Sequence, residues 1–191
     1  KVESDGIETV RAVFVDQHGI LRGKTIVSSA LKTAFDVGIK VPSTLLLKDT
    51  SHRTVFPIWT NNSNLEDLAL HGASDVILRL NPKRFYPIPW SPHSAFILCS
   101  VEDRNRKPIS FSSDEVLSVA VNVLKKAGYV AVFGLEVEFQ IFRVTDHSLS
   151  HGQATMPPAP IKVENLTQGH QYLTEVRYAE VEETLDEIRR M

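Results

Sequence analysis

Very little in this 191-residue sequence is present in excess, and its shortages narrow the reading first. There is one cysteine, Cys99. It has no partner for an internal disulfide, which suits a reducing, cytosolic setting, and a cytoplasmic protein is expected. Cys99 continues the apolar run Ala95-Phe96-Ile97-Leu98, so it reads as a small buried hydrophobe rather than a catalytic thiol. No apolar run approaches the ~20 residues that a membrane helix needs, and no signal-peptide pattern opens the chain. Neither sign of charge dominates: 21 Lys and Arg against 23 Asp and Glu leave a net charge of −2. With both signs interspersed there is no basic footprint for nucleic acid and no polybasic run for a membrane surface. Internal repeats and low-complexity tracts are missing. So is an initiator Met, and a processed or trimmed product is expected.

What is present is ordinary globular material. At 42% hydrophobic, the chain can bury a core as one domain, or as one small domain plus part of another. Glu8 to Asp16 reads as a strand, Gln17-His18-Gly19 as a turn with glycine at positive φ, and Ile20 to Val27 as a returning strand. Ser28 or Ser29 can cap a helix carrying Leu31, Ala34 and Phe35 on one side, and Gly38 ends it. Val41 to Leu47 is a further apolar run, followed by the polar loop Lys48-Asp49-Thr50-Ser51-His52-Arg53. Asp75 to Leu80 and Ser94 to Val101 read as strands, separated by the proline-rich stretch from Asn81 to Pro92. A hairpin, a helix and more strands describe a small α+β sheet with a helix on one face.

A second unit is expected after a boundary near Ser110, where Arg104-Asn105-Arg106-Lys107-Pro108 marks an exposed turn. Ser112 with Glu115 forms a capping-box pattern. Val116, Leu117, Val119, Ala120, Val123 and Leu124 follow as a wide apolar helical face, closed by Gly128. Val144 to His170 is polar and rich in Gly, Ser and Pro, and Tyr178 to Met191 has a helical pattern through Val181, Leu185 and Ile188.

Between these lies the stretch with the clearest chemistry, Val132 to Phe142. Leu135, Val137, Phe139 and Ile141 alternate with Glu136, Glu138 and Gln140, the period of a half-buried strand. Carboxylates two residues apart share a face, with backbones roughly 6.5–7 Å apart, and flexible Glu side chains can close that gap onto a cation. Hard cations such as Mg²⁺ or Mn²⁺ prefer such oxygens and share their remaining positions with substrate phosphates. A solvated strand face carrying two acids has the same pattern. His18, His52, His71, His93, His147, His151 and His170 are scattered without metal-ligand spacing.

Phe133-Gly134-Leu135-Glu136-Val137-Glu138-Phe139, following Lys125-Lys126-Ala127-Gly128-Tyr129, resembles the glutamine synthetase family, in which a G-x-E-x-E-F strand opens the metal-binding floor of the catalytic domain. Val10 to Asp16 with Gly19 and Arg22-Gly23-Lys24 resembles the opening hairpin of that family's N-terminal β-grasp domain. Asp75 to Arg79, Phe85 to Trp90 and Ala95 to Asp103 resemble the run into its catalytic domain. The resemblance implies a β-grasp-like domain over residues 1–110, then the first helix and strand of the catalytic domain over 111–191.

The implied activity is ATP-dependent ligation of glutamate to ammonia or another amine through γ-glutamyl phosphate, with Mg²⁺ or Mn²⁺ neutralising the transferred phosphoryl group. By position, Glu138 would ligate the ion on the glutamate side and Glu136 the ion on the nucleotide phosphates. Asp49 would lie on the loop that enters a neighbouring subunit's site and takes the proton of the amine. The family's glutamine-forming members show D-G-S-S there, and Asp49-Thr50-Ser51 departs from it, which leaves room for another amine. A homo-oligomer is implied, a hexameric ring or a dodecamer, with active sites between subunits. The family's other metal, nucleotide and glutamate residues lie downstream of Met191, so this chain by itself is expected to be inactive. The alternative is a non-catalytic, glutamine synthetase-like assembly protein.

Overall fold

Val10, Ala12 and Phe14 alternate with Arg11, Val13 and Val15, and that period of two makes Thr9–Val15 a strand, β1, with its first set fully buried. The chain turns back at 16–20, and β2 (Leu21–Val27) runs antiparallel to β1 with Val13 opposite Gly23. A 3-10 turn, Ser28–Ala30, leads into helix α1 (Leu31–Val37), which ends at Gly38 with φ 77°. Neither Ser28 nor Ser29 acts as the expected N-cap. The backbone is already helical at Ala30 (φ −84°, ψ −6°), so α1 continues a turn instead of starting from an extended residue.

Strand β3 (Ile39–Pro42), a 3-10 turn over Ser43–Leu47, β4 (Asp75–Ile88) and β5 (Ser91–Glu102) complete a sheet of order β2-β1-β5-β4-β3. Strands β1 and β5 are parallel, with Ala12 beside Ile97, and the other neighbours are antiparallel. Parallel neighbours need a long crossover, here supplied by α1, β3 and β4. This is the β-grasp-like α+β arrangement expected. Leu31 and Ala34 of α1 meet Val10, Phe14, Leu78 and Ile97 of the sheet in one core. Cys99 is buried there, as its apolar neighbours implied. The computed structural model describes residues 2–56, 58–59, 70, 72, 74–147, 150–154, 159–169 and 172–191. His71 and His170 lie outside these residues.

The proline-rich stretch is a correction to the sequence reading. It is not a connector between short strands; β4 runs through it to Ile88 and β5 starts at Ser91. Proline is tolerated because the register shifts between Leu80 and Phe85, around Pro82, and β3 covers β4 only along Asp75 to Leu78. The other edge of the Phe85-to-Ile88 segment therefore needs no amide donor.

By contact density the chain divides into units 1–132 and 133–191, whereas the boundary expected near Ser110 falls between β5 and the next helix. That helix, α2 (Ser113–Lys126), is held at its start by Ser113 Oγ donating to the Val15 and Asp16 carbonyls (3.0 and 3.3 Å). Arg84 also reaches Asp114 at 2.7 Å. Ser112 is the N-cap by position, but its side chain makes no capping bond, so the capping box is not formed. The apolar face of α2 is exposed, with Leu117 at 54% and Val123 at 60%.

In the second unit, the strand expected over Val132 to Phe142 is also corrected. Residues 133–141 pair with no described strand, and ladder pairing begins with β6 (Phe142–Val144), antiparallel to β7 (Val163–Asn165). Alternation assigns side chains to faces, but a ladder needs a neighbour and burial needs a second layer. Neither covers this segment among the described residues, and Leu135 is 87% exposed. β7 falls within the polar stretch Val144 to His170. The terminal helical pattern resolves into α3 (Glu175–Ala179) and α4 (Glu182–Arg190).

Gly23 provides a test of the hairpin. A Cβ there would stand 1.9 Å from the Ala12 carbonyl oxygen, a backbone atom that cannot swing aside. Gly23→Ala is expected to lower stability by about 1–3 kcal/mol, the cost typical of overpacking, read as a lower midpoint in urea denaturation.

Candidate functional site

Three hairpin loops in the first unit share one construction, and it places most of the polar residues of interest. In each, an Asp closes a five-residue turn whose fourth residue has positive φ: Gly19 (78°), His52 (63°) and Arg106 (66°). Asp16, Asp49 and Asp103 each donate their amide to the carbonyl four residues on, at 3.0, 2.9 and 2.8 Å. Their Oδ1 atoms accept the return amides of Ile20, Arg53 and Lys107, at 2.9, 2.8 and 2.8 Å. The geometry is that of a tight turn with a left-handed fourth residue, in which Asp replaces a missing backbone acceptor.

The Asp16 loop is the centre of this region. Asp16 is 2% exposed. Its Oδ1 also accepts the His18 amide at 2.8 Å, and its Oδ2 takes Arg22 Nε at 2.6 Å. Burial alone would raise this carboxyl, but the Arg22 hydrogen bond, the Ile20 and His18 amides and the guanidinium charge together hold it below the usual carboxylate range. From the same hub, Arg22 Nη1 donates to His52 Nδ1 at 3.2 Å, and His18 Nε2 donates to the Lys48 carbonyl at 2.8 Å. The hairpin tip is thereby joined to the loop between the paired residues Lys48 and Thr54.

Asp49 therefore sits in a loop, as expected, half-buried and with one carboxylate oxygen engaged by Arg53. Glu136 and Glu138 lie in the other unit, both exposed. Among the described residues, no group of three or more His, Cys, Asp or Glu side chains is placed to hold a metal ion. His93 approaches Glu8 at 3.8 Å. Burial pushes the Cys99 thiol up to about 12, with Arg84 and the Val13 backbone opposing it more weakly, so it is no nucleophile. The sequence reading missed Arg22 and His18 as organising residues. The available signal was an Asp four residues before each returning segment.

The fold and these acids define an α+β sheet domain followed by an acid-bearing segment. No protein-family model matches the chain. The γ-glutamylanilide synthase of an Acinetobacter species is 28% identical over 196 aligned residues, taking in 100% of this chain and 39% of that protein. A glutamate–isopropylamine ligase of a Pseudomonas species is 25% identical over 158 residues, 80% of this chain and 32% of that protein. The glutamine synthetase of Halobacterium salinarum is 27% identical over 152 residues, 76% of this chain and 29% of that protein. A crystal structure described as a novel glutamine synthase homolog superposes with TM-score 0.51 at 16% identity, over 63% of this chain and 27% of that one. That likeness bears on the fold alone. The homologues of this chain are glutamine synthetase-family proteins, as its motifs implied. It spans well under half the length of these curated relatives.

Two outcomes test the site chemistry. The Asp16 carboxyl titrates lower folded than unfolded, where about 3.9 is usual. Its contribution is therefore complete above that value and is lost as pH falls through the lower folded value. Asp16→Asn is expected to cost about 3–5 kcal/mol near neutrality, the range for breaking a buried pair. The gap to wild type should shrink as urea midpoints are followed from pH 4 downward. Native Cys99 should not react with an aromatic disulfide reagent at pH 8, whereas the urea-unfolded chain should react stoichiometrically.

Proposed function

We propose that this chain is the N-terminal portion of an ATP-dependent glutamate–amine ligase acting through a γ-glutamyl phosphate intermediate. The observation that carries the reading is the alignment with γ-glutamylanilide synthase along the whole chain, through the Glu136-Val137-Glu138 segment. The acceptor we favour is an organic amine. Two relatives are named for aniline-derived and isopropylamine products, and Asp49-Thr50-Ser51 departs from the glutamine-forming D-G-S-S.

Bound Mg²⁺ or Mn²⁺ would supply charge neutralisation on the transferring phosphoryl oxygens. Glu136 and Glu138 suit such ions as hard, exposed oxygen donors two residues apart. On this reading Glu138 serves the glutamate side and Glu136 the nucleotide side. Two carboxylates are only part of a divalent site, and the other donors belong to the length of the relatives that this chain does not span. Asp49 has one oxygen committed to Arg53, and its second oxygen is the group assigned to the proton of the incoming amine. The site then lies between subunits of a cytoplasmic homo-oligomer.

Two measurements on the 191-residue chain test this. Mn²⁺ titration followed by water-proton relaxation should show weak binding, lost in the double variant Glu136→Gln, Glu138→Gln; binding unchanged in that variant would remove these residues as ligands. A coupled phosphate-release assay with glutamate, ATP and isopropylamine should show no turnover. Turnover at ordinary enzyme rates would mean that the chain holds a complete site, contrary to the proposal.

A further inference from the structure

The Lys48–Thr54 loop has almost no apolar means of staying in place. Lys48, Asp49, Thr50, Ser51, His52, Arg53 and Thr54 contribute nothing to the hydrophobic core. Among the described residues, the hydrogen bonds that cross from the loop to the rest of the domain go to the tip of the β1–β2 hairpin. His18 Nε2–H donates to the Lys48 carbonyl at 2.8 Å, fixing the first residue of the loop. Arg22 Nη1–H donates to His52 Nδ1 at 3.2 Å, fixing the fourth residue of its turn. Arg22 cannot follow the loop if it moves, because its Nε is held at 2.6 Å by the buried Asp16. His52 is also one of three described non-glycine residues at positive φ. A side chain there is disfavoured relative to glycine, and a disfavoured conformation kept in a loop points to what the side chain does. Here the imidazole meets Arg22.

We propose that His18 and His52 are positioning residues that latch the Lys48–Thr54 loop to the Asp16–Arg22 hub, and so set where Asp49 stands. The latch itself stands on the contacts above; its effect on amine binding rests on the reading of Asp49 in the preceding section. His18 grips the backbone at one side of Asp49, and His52 holds the turn that Asp49 closes through its 2.8 Å bond from the Arg53 amide. Loss of either contact frees the loop without touching the core, since neither imidazole belongs to it.

Amide hydrogen exchange on the ¹⁵N-labelled chain tests the latch. His52→Gly keeps the left-handed conformation accessible but removes the ring, so faster exchange cannot be attributed to backbone strain. Exchange of the Asp49, His52 and Arg53 amides is expected to quicken about fivefold, the order set by one hydrogen bond, while the amides of β1 and β5 keep their rates. His18→Ala should do the same. His52→Asn, whose carbonyl can accept from Arg22 and which tolerates positive φ, should restore slow exchange. Wild-type loop exchange in both His52→Gly and His18→Ala would overturn the proposal.

The same variants in the full-length ligase separate the latch from the role of Asp49. A raised KM for the amine, with KM for ATP unchanged and recovery in His52→Asn, supports both. Quickened loop exchange with an unchanged amine KM keeps the latch and removes Asp49 from the amine site.

Discussion

One buried carboxylate, Asp16, ties together parts of the chain that the hydrophobic core does not reach. A charge at 2% exposure is costly unless every oxygen finds a donor. Here two amides and a guanidinium supply them, all within six residues along the chain. The hairpin tip must therefore keep one conformation. Once it does, its outward groups become fixed points: Arg22 and His18 hold the Lys48–Thr54 loop, and the Val15 and Asp16 carbonyls receive Ser113 at the start of α2. The first polar loop and the first helix after the sheet are thus referred to the same turn.

Repetition of that turn chemistry explains how an irregular part of the fold can be well defined. The three Asp-closed loops use the same pair of backbone bonds and the same side-chain acceptor, and differ in what the second carboxylate oxygen meets. In Asp16 it is spent on Arg22, which makes the residue structural. In Asp49 the loop is half-exposed, and nothing in the construction of the turn requires the second oxygen. A structural turn can in this way carry a group for chemistry without giving up its shape.

The apolar surface outside the sheet has a different character. The face of α2 and the alternating side chains of 133–141 have the composition of buried elements, yet Val123 and Leu135 are exposed. Burial of such groups contributes roughly 1.5–3 kcal/mol each when a second layer covers them, and among the described residues no such layer does.

Local pattern was enough to read much of this protein: the alternation of β1, the turn at Gly19, the stop at Gly38, the loop around Asp49 and burial of Cys99. Each depends on neighbours within a few residues, through side-chain period or a backbone angle that only certain residues accept. Local pattern could not show that β4 runs through its prolines, because that depends on where β3 ends and where the β4–β5 register slips. It could not give 133–141 a partner, because ladder bonds come from another strand. Nor could it join Arg22 to His52, thirty residues apart. Sequence by itself determined which segments turn and which side chains share a face; the tertiary structure decided which of them meet, since contact over long separations is set by packing rather than by local preference.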